Sequence, residues 1–371
     1  MRFDEERSQE ILRLLGKNPA TSFNEGLVSG QIKILLSESD ISYKEDQYGN
    51  IIAEVPGVGA GNDDPSIAFV AHMDHPGLEV TEVRDDGLVI ATAMGGIPNA
   101  VFNQESGGFT FDAQGNRNPC RLQPYDGATD RTVCVVGDGT FDVGNPITFD
   151  LEDFFVQDRT INMRALDDLA GCASIITVLC ELKEKPSRNN VYGIFTRAEE
   201  VGLIGARLIA LEKTVSLNTF MISIETSSVI PGVQQGLGPV IRTGDASYTF
   251  NAEAEQILVS ARDSILKSDD SFKCQRQLMS AGSCEASAFA ANGYKTTGIA
   301  FPLINWHNAT TFIGDPNGDV GLEKISLDDY QGGIRLMIMS THCVSESENS
   351  AMMARFRKVQ NEYKVRLSGS S

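Results

Sequence analysis

The chain has 371 residues, 41% of them hydrophobic, and single cores tend to divide above roughly 250–300 residues, so more than one domain is expected. Lysine and arginine number 31 against 50 aspartates and glutamates, a net charge of −19, which argues against binding to nucleic-acid backbones or anionic membrane surfaces. The seven cysteines are scattered and never spaced as CxxC, so neither a disulfide framework nor a structural zinc site is expected, and a reducing compartment suits the chain.

The start of the chain is charged and amphipathic, with no apolar signal core, and no run approaches about 18 apolar residues; a cytoplasmic protein without a membrane-spanning helix is expected. Ile11, Leu12, Leu14 and Leu15 share one helix face, and "QIKILL" supplies a second helix. "ISYKEDQYGNIIAEVPG" alternates about a Tyr-Gly-Asn turn and reads as a hairpin, whereas "SIAFVAHMD" is continuously apolar, as in a strand covered on both faces. Residues 76–160 change character, with short alternating pieces such as "GLEVTEV" and "RTVCVVG" and no helix; they read as a small inserted β domain. From 161 the pattern turns to α/β. Asp168 caps a helix carrying Ala173, Ile176, Val178, Leu179 and Leu182; a strand follows at 191–196, a helix at 201–212, strands at 220–225 and near 297–302, and a last helix after Ser326. The fold class is α/β, a mostly parallel mixed sheet flanked by helices, built from 1–75 and 161–350, with 76–160 inserted and 351–371 a C-terminal tail.

The chemistry-bearing residues fall at strand ends and helix starts. His72 ends "SIAFVAH", Asp167 precedes a helix, Glu199 and Glu200 follow a core strand, Glu225 ends "FMISIE", and His307 follows "TGIAFPLINW". Ligands of an open α/β sheet gather beyond the carboxyl ends of its strands, so five segments bring donors to one edge. Two histidines with several carboxylates suit zinc, and two ions sharing a bridging carboxylate would need about this many donors. Of two adjacent glutamates, one can then bind metal while the other takes a proton from water.

These segments, "AHMDHPG", "RALDDLAGC", "TRAEEVGLIGA", "ISIETSS" and "FPLINWHN", resemble the signatures of the co-catalytic zinc exopeptidases, and most closely those of the tetrahedral aminopeptidases, a family that includes glutamyl aminopeptidases and proteins also labelled cellulase M. "QGLGPVIRTGD" supports the likeness, which runs from about residue 5 to 345. The interval of 95 positions between His72 and Asp167 (167 − 72) holds an insertion where this family keeps its own. The resemblance implies that His72, Asp167 and Glu225 hold one ion, and Asp167, Glu200 and His307 the other. It also implies that Asp74 hydrogen-bonds the second nitrogen of His72, that Glu199 is general base and then acid, and that the Asp167–Asp168 peptide is cis. The implied activity is removal of N-terminal residues from short peptides, by a homo-oligomer that is a dimer or a tetrahedral particle of twelve subunits; the ions are zinc, with cobalt or manganese as alternatives.

Departures from the pattern surround the substrate pocket. His75-Pro76 stand where the family has Glu and an aliphatic residue, Ser283-Cys284-Glu285 where it has Gly-Thr-Asp, and Ile304-Asn305-Trp306-His307-Asn308 where it has Arg-Tyr-x-His-Ser. Glu285 is a candidate to meet the substrate's amine and Arg242 a candidate to line the pocket. Two other readings compete: an amidohydrolase acting on acylated or C-terminal groups, and a non-catalytic scaffold, which would have no use for Glu199. Cys284 as a nucleophile lacks a spare histidine to activate it.

Overall fold

A computed structural model describes residues 3–59, 61, 64–125, 131–344, 358 and 363–369; most of the expected tail at 351–371 lies outside the described residues. The chain opens with α1 (Glu5–Gly16), whose N-terminus is capped by the Asp4 carboxylate accepting from the Arg7 N–H, and α2 (Gly26–Glu38). A hairpin of β1 (Ser42–Glu45) and β2 (Ile51–Val55) leads to β3 (Ser66–His72). The strands β4 (Gly77–Val83), β5 (Val89–Met94), β6 (Ser106–Phe111), β7 (Arg117–Pro124), β8 (Thr132–Val136) and β9 (Pro146–Phe149) then close an antiparallel barrel in the order β4-β5-β8-β7-β6-β9. Its inward residues, among them Leu78, Val80, Leu122, Val133, Ile147 and Phe149, form a separate core. A 3-10 turn at Asn99–Phe102 lies in this segment, where the sequence shows no helical pattern.

After the barrel come β10 (Phe155–Gln157), β11 (Thr160–Met163), α3 (Leu169–Glu184), β12 (Val191–Thr196), α4 (Ile204–Glu212), β13 (Thr219–Ser228), β14 (Val240–Gly244), α5 (Ala252–Leu266), β15 (Gln275–Leu278), α6 (Glu285–Ala290), β16 (Lys295–Leu303), β17 (Glu323–Ser326) and α7 (Leu327–Thr341). The large sheet has the order β1-β2-β12-β3-β13-β16-β14-β15. Its centre, β12-β3-β13-β16, is parallel, as is the β14–β15 pair; β1–β2, β2–β12 and β16–β14 are antiparallel. Alternation along β3 sends Ile67, Phe69 and Ala71 into the core shared with α1, α3, α5 and α7, and Ala68 and Val70 into the core shared with α4 and α6. β10, β11 and β17 form a small antiparallel sheet that ties the segment before α3 to the segment before α7.

Several elements differ from the sequence expectation. α4 begins at Ile204 rather than 201, because Ala198 and Leu203 take left-handed conformations (φ 52° and 59°) and hold the intervening residues in a turn. β13 runs three residues beyond Glu225, and α5, with β14 and β15 beside it, was not anticipated. Among the described residues no helix is long and apolar enough to cross a membrane.

Candidate metal centre

The parallel core strands deliver His72, the last residue of β3, and Glu225 on β13 side by side. Glu199 and Glu200 occupy the turn after β12, and His307 lies after β16 in the 3-10 turn Trp306–Asn308, itself left-handed at φ 55°. Asp167 follows β11, and its peptide to Asp168 is cis. Asp168 then starts α3 by accepting the Gly171 N–H at 3.0 Å. Two glycines of the barrel come close to the same edge. A Cβ on Gly95 would stand 2.9 Å from the Glu200 Cβ, and one on Gly96 2.9 Å from His307 Nδ1.

Asp167 sits between the two imidazoles. Its Oδ1 is 3.4 Å from His72 Nε2 and its Oδ2 is 3.5 Å from His307 Nε2; Glu200 Oε1 is 3.4 Å from the same His307 nitrogen. Three donor sets converge within reach of a common ion: His72, Asp167 and Glu225; Asp167, Glu200 and His307; and His72, Glu199 and Glu200. Glu199 Oε2 lies 3.9 Å from His72 Nε2. Asp167 Oδ1, Glu200 Oε1 and Glu225 Oε1 are buried without a hydrogen-bond partner among the described residues.

The electrostatics follow from burying so many carboxylates together. Burial raises Glu225 well above the usual carboxylate range, and Glu285 and Glu199 add to it. Burial likewise pushes Glu199 well up, with Glu200 and Glu285 working in the same direction against His72. Asp167 is pushed up by burial but held far below the ordinary range by His307 and His72. His307 loses proton affinity to burial, yet Glu200 and Asp167 outweigh this and raise it to about 10. A site that confines anions in this way is built to receive cations.

Around these donors is a frame of hydrogen bonds that the sequence does not announce. The Glu323 carboxylate, fully buried, accepts from the backbone N–H of Leu166 (2.7 Å) and Asp167 (3.0 Å) with one oxygen and from His307 (2.9 Å) with the other. His75 bridges the same two segments: Nδ1 meets the Asp167 carbonyl at 2.6 Å and Nε2 the Asn308 side-chain amide at 2.8 Å, and burial lowers its pKa to about 4. Trp306 donates its indole N–H to Asp167 Oδ2 at 3.0 Å.

Two expected contacts take another form. His72 Nδ1 faces the backbone carbonyl of Asp74 at 3.0 Å, whereas the Asp74 carboxylate is 3.6 Å away. That carboxylate is already engaged: it accepts from the Ser22 hydroxyl and from the backbone N–H groups of Glu199 and Glu200. Glu285 does not meet solvent; it is fully buried beneath the site and accepts from the Thr196 and Ser223 hydroxyls. Arg242 does line the adjoining cavity, of about 730 Å³, together with Glu225, Tyr248, Met279 and Trp306. Cys284 is buried and its thiol is pushed up to about 12, which leaves it a poor nucleophile near neutral pH.

Comparison with known proteins adds to this geometry. The model of the M42 glutamyl aminopeptidase family matches residues 49–114 and 138–314. A relative from Acetivibrio thermocellus that bears an aminopeptidase name is 24% identical over 361 residues, covering 90% of this chain and 98% of the relative. Among solved structures, the TET aminopeptidase from the marine sediment archaeon Thaumarchaeota archaeon SCGC AB-539-E09 superimposes with a TM-score of 0.76 at 21% identity, over 92% of this chain and 99% of its own. The Pyrococcus horikoshii TET1 peptidase, which can assemble into a tetrahedron or a large octahedral shell, gives 0.73 at 22% identity, over 90% and 98%.

Proposed function

Because the chain belongs to the M42 glutamyl aminopeptidase family, and is thus a metallo-aminopeptidase that hydrolyses peptide bonds, we propose that its clustered donors hold two divalent ions and that Glu199 moves the proton. One observation carries this reading. Donors on one tetrahedral ion, each about 2.0–2.2 Å from it, stand about 3.4 Å apart. The His72–Asp167, His307–Asp167 and His307–Glu200 separations are 3.4, 3.5 and 3.4 Å, too long for good hydrogen bonds, and buried carboxylate oxygens in the set have no other partner. Without cations, each such oxygen would cost about 1–3 kcal/mol or more in desolvation.

In this assignment His72, Asp167 and Glu225 hold one ion, and Asp167, Glu200 and His307 the other. Two divalent ions, for which zinc suits the nitrogen and oxygen donors and cobalt or manganese are alternatives, would polarise the scissile carbonyl and lower the pKa of an attacking water toward about 7. Glu199 takes that water's proton and returns it to the leaving amine. Asp74 fixes the pair by holding both backbone N–H groups, so the two carboxylates cannot exchange places. Arg242 is buried with an unpartnered Nε on the cavity wall and serves to receive an oxygen of the peptide.

The substrates are short peptides and the working form is a homo-oligomer, at least a dimer, in which the barrel at 76–160 is the association element. The assemblies formed by the P. horikoshii relative support this extension. The test is elemental analysis of the wild type, Asp167→Ala and Glu200→Ala, combined with turnover of aminoacyl and acyl-blocked substrates. Asp167→Ala should lose close to two equivalents and Glu200→Ala about one, with only free-amine substrates cleaved. Equal metal loss from both variants overturns the ligand assignment; preference for blocked substrates favours an amidohydrolase.

A further inference from the structure

His307 lacks the outer support that His72 has. A ligating histidine ordinarily donates its second ring N–H to a carboxylate, a carbonyl or water, which fixes the ring and its tautomer. His72 has the Asp74 carbonyl for this purpose, whereas His307 Nδ1 is buried and has no partner among the described residues. The indole of Trp306 covers a face of the His307 ring instead. Its ring lies against the His307 imidazole, centroids 3.7 Å apart and planes inclined by 30°. Its Nε1–H reaches across to Asp167 Oδ2, which is also the oxygen nearest His307. This contact between neighbours is possible because Asn305 and His307 are both left-handed, which folds the chain back so that the two rings face each other.

We propose that Trp306 is a positioning residue of the metal centre, holding His307 by stacking and Asp167 by hydrogen bonding so that two donors for one ion are set by one side chain. The proposal rests on the two-ion reading above. A carboxylate that serves two ions must present one oxygen to each, and free rotation about its terminal bond would spoil both. The indole N–H occupies one lone pair of Oδ2, leaving the other for the ion and fixing the carboxylate plane. The indole stacks on the His307 ring, and Gly96 leaves no room beside its Nδ1, where a Cβ would come within 2.9 Å.

Trp306 is the only tryptophan in the chain, so intrinsic fluorescence reports this contact directly. Metal-stripped protein titrated with zinc should change its tryptophan emission as the ion between Asp167, Glu200 and His307 is filled. Glu200→Ala, which loses that ion, should show little of the change. Trp306→Phe keeps an aromatic ring but lacks the N–H; it should bind one equivalent about 10–100-fold more weakly while the other is little affected. If wild-type protein binds two equivalents and its emission does not respond, or if Trp306→Phe binds both as the wild type does, the positioning role is overturned. If wild-type protein binds no more than one equivalent, the two-ion reading itself fails and takes this proposal with it. The fluorescence titration needs no variant, so an unresponsive emission overturns the proposal even if Trp306→Phe folds poorly.

Discussion

Replacement of Glu323 by glutamine removes one oxygen from the side chain that joins the two segments carrying Asp167 and His307. The native carboxylate takes the Leu166 and Asp167 N–H groups on one oxygen and the His307 N–H on the other, an arrangement suited to an anion. Glutamine has one acceptor to offer. Whichever way the amide turns, its NH2 group faces a buried N–H, leaving at least one donor unsatisfied at about 1–3 kcal/mol. Burial and the nearby Asp167 raise the Glu323 carboxyl well above the usual range, so no loss of charge assistance is added and the total is about 1–3 kcal/mol. That is only part of a typical net stability of about 5–15 kcal/mol, so the variant should still fold. Glu323→Ala strands all three donors and is expected to fail. Urea unfolding of Glu323→Gln, followed by circular dichroism on metal-free protein, should show a destabilisation of that size. Elemental analysis should show preferential loss of the ion between Asp167, Glu200 and His307, because the Glu323 carboxylate sets the spacing of Asp167 and His307. A shift below about 1 kcal/mol with full metal content would refute the argument that this carboxylate organises the two segments.

Other outcomes follow from the same geometry. Glu199→Gln is nearly isosteric and lies outside the proposed ligand set, so it should retain both ions and lose about 100- to 10,000-fold in kcat; a variant with two metals and more than about a tenth of wild-type kcat contradicts the general-base role. The thiols of Cys120, Cys274 and Cys284 are each raised by burial from 9.0 to about 12. Their contribution to stability is therefore complete below the unfolded value and declines as pH rises from 9.0 toward about 12, where the unfolded chain sheds protons that the folded one keeps. Disulfide-reagent kinetics at neutral pH should show the buried Cys120 and Cys284 reacting at the unfolding rate, and fast labelling of both would be contrary to that burial. Sedimentation at micromolar concentration should give a dimer or larger, and a monomer would remove the barrel's proposed role in association.

The donors were legible in the sequence because metal chemistry restricts them to a few residue types, and because open sheets put such residues at strand ends. His72, Asp167, Glu200, Glu225 and His307 stand out in the sequence as candidate ligands, and the fold brings them together. The elements between Glu225 and His307 were harder. α5 does carry a signal, with Asn251 capping the Glu253 and Ala254 N–H groups, an acidic first turn, and Ile257, Leu258, Ala261 and Ile265 on one face, but no aromatic or long apolar run draws attention to it. β17 is four residues long, too short for alternation to stand out, and its place is decided by pairing with β11 more than 150 residues earlier.

What orients the donors was not legible, for a reason that follows from hydrogen-bonding chemistry. Every residue has a backbone N–H and C=O, so a side chain whose partners are backbone groups leaves no mark on the identity of those partners. Glu323 reads only as another acidic residue before a helix, yet it grips two loops through three peptide N–H groups. The Asp74 case shows the same effect from the other side. A carboxylate two residues after a histidine suggests a side-chain relay; its two oxygens also take the Ser22 hydroxyl and the Glu199 and Glu200 peptides, and the histidine's nearer contact is the backbone carbonyl at 3.0 Å, the carboxylate lying at 3.6 Å. Asp74 therefore orients the centre twice, with its main chain holding His72 and its side chain holding the turn that carries both glutamates. Removing the side chain should disturb the glutamates before it disturbs the histidine, the reverse of what the sequence pattern implies.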